Sequence, residues 1–344
     1  MGRPGSLDLA ASPQGRRTSI KRHEQRVTSI RELFWMLLPV SGLLIALGLH
    51  YGLPNVYPLA YHPKTYGPVL IGLGAIYIAL MAAACFWPAL RRRLRHFSGI
   101  FFVLALTLAA LDVATLKTGW LRLPFVPSPD KILSVYPDNA AQFVENFLAS
   151  MKLLFTGVFL GTLAGVLSGI LMGWSRIANY WISPVLKVIG PVPGVAWLPI
   201  AMVLMPSSRA AGLFLIGLAL WFPLTLMIST AIRDTDVRLI ESARVLGASE
   251  LHILTHVAIP AAIPAMFTGM FMGLSASFGA LIYAEMLGVK AGLGWYIEWS
   301  RAWGEYAKIF ATIGIFIVLF FALIEILFRI RNHAMKWQKG VVRW

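Results

Sequence analysis

The side chains best placed to do chemistry in this sequence are three acids and a pair of histidines. Asp112, Glu285 and Glu325 fall within or near long apolar runs, where a charge at the centre of a membrane helix costs about 2.5–3.5 kcal/mol. Each is therefore a candidate for a proton or ion relay, or for the wall or gate of a polar pathway. His252 and His256 stand four residues apart, a spacing at which two imidazoles on one helix face ligate a metal. With no Cys, Asp or third His beside them, solvated or interface histidines are the simpler reading. Cys85, the single cysteine, lies inside an apolar run and offers neither an intramolecular disulfide nor a thiolate metal site. No Ser/His/Asp or paired-carboxylate arrangement stands out, and no Gly-x-x-x-x-Gly-Lys-Ser/Thr loop occurs. The chain therefore reads as a non-enzyme that binds no metal or cofactor and hydrolyses no ATP itself.

The elements that must hold these residues are membrane helices. Of 344 residues, 58% are hydrophobic and 13% charged, against about a quarter charged in soluble domains; the mean hydropathy is +0.72. Apolar runs reach about 20 residues, enough to cross a hydrocarbon core of about 30 Å. Eight spans are predicted, near 33–52, 68–88, 98–116, 151–174, 184–205, 210–231, 261–287 and 308–328. The net charge of +15 is not a nucleic-acid footprint, because the basic residues sort by loop. Twenty of the 30 Lys and Arg fall in the N-terminal tail, the Arg91–Arg95 run, the loops holding Arg176 and Arg233 to Arg244, and the C-terminal end; seven fall in the alternate loops. The positive-inside rule then places both termini, and the loop 233–259, in the cytoplasm. Residues 1–30 read as a disordered basic cytoplasmic tail and not a cleaved signal. Trp87, Trp120, Trp295, Trp299 and Trp303 lie near span ends as interfacial anchors.

Three stretches carry more than hydropathy. Gly157, Gly161, Gly165, Gly169 and Gly173 recur every four residues in the fourth span, a smooth stripe for close packing of a second helix. The fifth span holds Pro184, Pro191, Pro193 and Pro199 with Gly190 and Gly194, so its helix must break or kink. Broken backbone at membrane depth is tolerated only against protein or a water-filled cavity. Pro191, Pro193, Trp197 and Pro199 are thus pathway candidates beside Glu285, with plain structural kinking as the alternative. Between the third and fourth spans, Pro124, Pro127 and Pro129 forbid a regular helix; after Pro137, Phe143, Phe147 and Leu148 predict an amphipathic helix along the outer membrane surface.

The longest moderately polar interruption of the C-terminal half runs from Glu241 to Pro260. Leu239, Ile240, Ala243, Leu246 and Leu251 give an apolar side to a short helix, Gly247 suits a turn that a side chain would hinder, and Pro260 opens the next span. The spacing predicts two short helices joined at Gly247. Glu241-Ser242-Ala243, then Gly247, then Val257-Ala258-Ile259-Pro260 resemble the signature loop of bacterial ABC importer permeases, Glu-Ala-Ala, three residues, Gly, nine residues, Ile-x-Leu-Pro. The departures are Ser242, Val257 and Ile259, all small or aliphatic. Pro191-Val192-Pro193-Gly194-Val195-Ala196-Trp197-Leu198-Pro199, Trp221-Phe222-Pro223, and Glu285 followed by Gly292-Leu293-Gly294 are similar to elements of the nitrate, sulfonate, taurine and bicarbonate branch.

The resemblance implies an all-α, polytopic type I permease core over 98–340, with two extra N-terminal spans over 31–97, in the bacterial inner membrane. It implies two permease subunits, two cytoplasmic ATPase subunits that use ATP and Mg, and an external solute-binding protein. The loop, with Glu241, Ser242, Ala243, Gly247, Ala248 and Pro260, would serve as the coupling helix: Glu241 near the ATPase contact, Ala243 fitting a close helix packing, Gly247 setting the turn and Pro260 at the span entrance. A complete core in one chain predicts a homodimer in the lipid bilayer. The implied solute is a small oxyanion or organosulfonate. The alternatives are a thiamine-precursor pyrimidine or other small nutrient, an ion-coupled secondary transporter using Asp112, Glu285 or Glu325, or a membrane scaffold.

Overall fold

The computed structural model describes residues 34–56 and 65–336; the N-terminal tail and the last residues lie outside these. Among them the secondary structure is entirely helical. In chain order the helices are α1 (Phe34–Gly52), α2 (Tyr66–Phe86), α3 (Pro88–Asp112, extended by a π turn Val113–Lys117), α4 (Pro129–Asp138), α5 (Ala140–Trp174) and α6 (Arg176–Ile189). They continue with a 3₁₀ turn Gly194–Trp197, α7 (Leu198–Leu204), α8 (Ser208–Arg233), α9 (Val237–Val245), α10 (Glu250–Ile253), a π turn Leu254–Ala258, α11 (Ile259–Gly288), α12 (Leu293–Ala302) and α13 (Tyr306–Ala334). Seven helices among the described residues are long and apolar enough to cross a membrane, eight if the bent pair α6 and Gly194–Leu204 counts as one span.

The chain divides into two compact units at Ser134/Val135, within α4. In the first, charges meet helix ends. The Lys117 ammonium donates to the carbonyls of His50 and Leu53 and to Asn55 Oδ1, a cation at the negative end of α1. Asp130 Oδ1 accepts from the amides of Thr65 and Tyr66 at 2.7 and 2.6 Å, an anion at the positive end of α2. Between them Asp112 pairs with His50 Nδ1 at 2.9 Å, both buried. Trp87 is extended because Pro88 behind it disfavours the helical region, which separates α2 from α3.

In the second unit α8 is the central helix, packed along both α5 and α11. The predicted glycine stripe faces it: a Cβ on Gly157, Gly161, Gly169 or Gly173 would come within 3.0 Å of Ile216, Gly217, Ile228 or Ile232 respectively. On the opposite side Gly269 and Gly273 of α11 meet the backbone of Leu224 and Leu220. Close backbone approach replaces a hydrophobic driving force, which lipid does not supply.

Three expectations are revised. The segment after Pro137 is not a separate surface helix: Phe143 to Leu148 belong to the first turns of α5, 35 residues long, and Phe143 is buried. The Arg91–Arg95 run is helical, within the start of α3. The second short helix of the polar loop is not free-standing either, because α10, the π turn and α11 form one helix of 39 residues, Glu250–Gly288. Pro260 would clash with the carbonyl four residues earlier in a regular α-helix, and the wider π turn directly before α11 is where the backbone departs from that geometry.

Candidate functional site

The loop between α8 and α11 is built from standard capping chemistry. Asp236 accepts from the amide of Arg238 at 2.9 Å and starts α9. That helix ends in a Schellman motif: the Gly247 amide donates to Arg244 O at 2.9 Å and the Ala248 amide to Ala243 O at 3.0 Å. Gly247 has φ +82°, a conformation any L side chain strains. Ser249 then caps α10 through the His252 amide, and Arg244 reaches across the turn to Glu250 at 2.9 Å. The result is a turn held by backbone geometry with Glu241, Ser242 and Gly247 exposed, Ala243 and Ala248 half-buried. The expected apolar side is largely uncovered, with Leu239 55%, Leu246 87% and Leu251 70% exposed; Val245, outside that set, is 88% exposed. His252 and His256 stack at 4.1 Å, and among the described residues no group of three metal-ligating side chains forms.

Within the spans the predicted break is real. The segment bends by 100° between α6 and the 3₁₀ turn, since Pro191 and Pro193 lack the amides that a continuing helix would need and Pro193 is extended at ψ 137°. Beside the break lies a cavity of about 400 Å³, walled by Pro193 and Trp197 with Phe222 of α8 and Gly279, Ala280 and Tyr283 of α11. Pro191 and Pro199 are not among its walls; Pro199 stands in the first turn of α7.

Glu285 does not reach that cavity. It is wholly buried, and its Oε2 accepts from the Ser150 hydroxyl at 2.9 Å and from the Gly294 amide at 2.8 Å. Ser150 Oγ accepts from the Leu293 amide at 2.8 Å, and Asn146 Oδ1 from the Gly292 amide at 2.9 Å. Three successive amides at the start of α12, donors that a helix leaves orphaned, are thus satisfied by side chains of α5 and α11. Gly292 has φ +140°, and a Cβ there would collide with the Glu285 carboxylate. Glu285→Ala is expected to cost roughly 2–6 kcal/mol by leaving two buried donors unpaired at about 1–3 kcal/mol each. Glu285→Gln, which keeps an acceptor, should cost less than half as much; thermal unfolding of the purified chain separates them.

Asn146 and Ser150 carried no motif in the sequence; the one signal was two polar residues a turn apart at the head of an apolar helix. His50, the partner of Asp112, was likewise unremarked. The three acids are not assembled into one site: Asp112 holds His50, Glu285 holds α12, and Glu325 pairs with Arg329 one turn on at 2.8 Å.

A span broken beside a cavity, with an uncovered turn at one end of the helices and a bolted short helix at the other, belongs to a polytopic all-α membrane protein. The family described as "Binding-protein-dependent transport system inner membrane component" matches residues 157–337, more than half of the sequence, and the chain belongs to it. The taurine transport system permease protein TauC of Escherichia coli is 25% identical over 169 residues, 45% of this chain and 62% of that protein. The putative aliphatic sulfonates transport permease protein SsuC of the same organism is 29% identical, over 42% of this chain and 56% of that protein. The nitrate import permease protein NrtB of Synechococcus elongatus is 27% identical, over 33% and 40%. These relatives represent the branch that the proline-rich and Gly-Leu-Gly segments resemble. The chain spans about half the length of the curated relatives it matches. An inward-facing structure of the MetNI methionine ABC transporter shares the fold at a TM-score of 0.50, with 18% identity over 57% of this chain and 98% of that one.

Proposed function

We propose that this chain is the permease subunit of an ATP-driven importer, in which the α9–Gly247 turn seats on a separate cytoplasmic ATPase. The observation that carries the reading is the turn itself. Two large aliphatic side chains, Val245 and Leu246, are almost fully exposed on a backbone that capping holds rigid, and a fixed apolar knob of this kind suits a protein groove. Hydrolysis of ATP with Mg falls to that partner, since the sequence holds no P-loop. An external solute-binding protein delivers the solute, and a second copy of this chain completes the pathway in the bacterial inner membrane, with both termini cytoplasmic. The cavity beside the broken α6–α7 segment supports a route there through alternating access. The relatives named for taurine, sulfonates and nitrate support a small oxyanion or organosulfonate as solute.

Leu246→Asp tests the contact. At 87% exposure the substitution should leave thermal stability within about 0.5 kcal/mol, yet lower ATP-coupled uptake in proteoliposomes about tenfold or more, the effect of losing an interface anchor. Uptake that proceeds without ATP sinks the importer reading altogether.

A further inference from the structure

We infer that the chain carries a binding site for a small zwitterion, a molecule bearing both an ammonium and an acidic group, at the α5–α12 end of the second unit, opposite the Gly247 turn. A cavity of about 210 Å³ lies there, lined by Glu145 and Asn146 of α5, Lys290, and Trp295, Tyr296 and Trp299 of α12. Its volume is that of about seven water molecules at ~30 Å³ each, room for a solute of six or seven non-hydrogen atoms.

The charges point to the ligand. Glu145 and Lys290 are opposite in sign, share this small cavity, and are both exposed to solvent. Among the described residues neither enters an ion pair, with the other or with any third group. Two such groups held apart on one cavity each keep a coordination position open. An anion alone would satisfy Lys290 and be repelled by Glu145; a cation alone would do the reverse. A zwitterion answers both, and discrimination follows from the unpaired charge the wrong solute leaves.

The remaining walls are fixed in place. Asn146 is occupied on both sides, its Oδ1 by the Gly292 amide and its Nδ2 by the Gln142 carbonyl. The Tyr296 hydroxyl donates to Gln142 Oε1 at 3.3 Å; burial and the Glu305 charge push its pKa up to about 12, so it stays a donor. Trp295 and Trp299 stack at 6.3 Å; Trp299 already carries the Lys308 ammonium, 5.4 Å from its ring centre and paired with Glu305, which leaves Trp295 as the aromatic surface for the ligand's ammonium. This chemistry has two sources, a free solute or the headgroup of a phosphatidylethanolamine lipid.

The test uses the full chain in nanodiscs of phosphatidylglycerol, with radiolabelled β-alanine as probe and unlabelled β-alanine, propionate and propylamine as competitors. β-Alanine is expected to displace the label at least about tenfold better than either singly charged analogue. Lys290→Gln should weaken β-alanine about tenfold, and Glu145→Gln should bring β-alanine and propionate within about twofold, with thermal unfolding unchanged in both variants. Nanodiscs containing phosphatidylethanolamine distinguish the sources: competitive loss of β-alanine binding assigns the site to the headgroup, and unchanged binding assigns it to a free solute. Absence of saturable binding, or equal binding by both variants and the parent, overturns the site. ATP-coupled uptake followed separately, in proteoliposomes holding the chain with its partner ATPase, keeps this result apart from the importer reading, which fails on its own if coupling is absent while β-alanine binds.

Discussion

Gly247→Pro is expected to abolish ATP-coupled uptake while leaving the chain inserted in the membrane. A proline ring holds φ near −65°, whereas Gly247 sits at +82°, and proline also deletes the amide that donates to Arg244 O. The Schellman closure cannot form, α9 loses its fixed angle to α10, and Val245 and Leu246 are no longer presented together. Insertion is untouched because the turn lies outside the spans. Gly247→Ala keeps the amide and pays only the left-handed strain, about 1–2 kcal/mol, so it should fall between proline and parent. The measurement is ATPase activity and uptake in proteoliposomes beside the amount of chain in the membrane fraction. Parent-level coupling in the proline variant would show that the contact lies elsewhere.

The second large effect is expected at the glycine stripe. A Cβ on Gly161 would lie 2.6 Å from Gly217 O and 2.9 Å from Gly217 Cα, so the obstruction is backbone and no side chain can rotate away. Gly161→Val must therefore push α5 from α8 along their whole contact. Overpacking costs about 1–3 kcal/mol where neighbours can adjust; here they cannot, and the folded fraction on size-exclusion chromatography should collapse. Gly165→Ala provides the contrast, since its neighbours are Leu224 Cδ2, Cβ and Cγ at 3.0–3.2 Å, no backbone atom lies as close, and a shift of a few tenths of an ångström relieves the contact. Similar yields of the two variants would show that the stripe does not set the approach of these helices.

The sequence made the repeating features readable. A glycine every fourth residue can only be a helix stripe, and prolines two apart can only break a helix, so α5, its partner face and the bend after α6 followed directly. The loop was legible because each capping residue announces itself locally: Asp236, Gly247 and Ser249 do their work within a few residues. What stayed hidden was tertiary. Glu285 read as a pathway acid because a buried carboxylate among apolar residues has that default, and nothing local revealed that Ser150, 135 residues away, and the Gly294 amide would hold it. The continuity of α5 through Phe143 was missed for a related reason: amphipathicity marks a buried face equally well against a membrane surface and against Tyr296, whose ring Phe143 meets edge-on at 5.2 Å.

The unbroken run from Glu250 to Gly288 makes the turn and the bolt two ends of one connecting rod. At 1.5 Å per residue, its 39 residues reach about 58 Å, with the Gly247 turn at one end and Glu285 gripping α12 at the other. No loop interrupts the rod, so a tilt imposed at the turn would carry to the far end, with the glycine contacts to α8 lying between. The π turn and Pro264 are the two places where the rod departs from regular α-helical hydrogen bonding. Stiffening or loosening those two places is expected to change how far such a tilt would carry without altering either end.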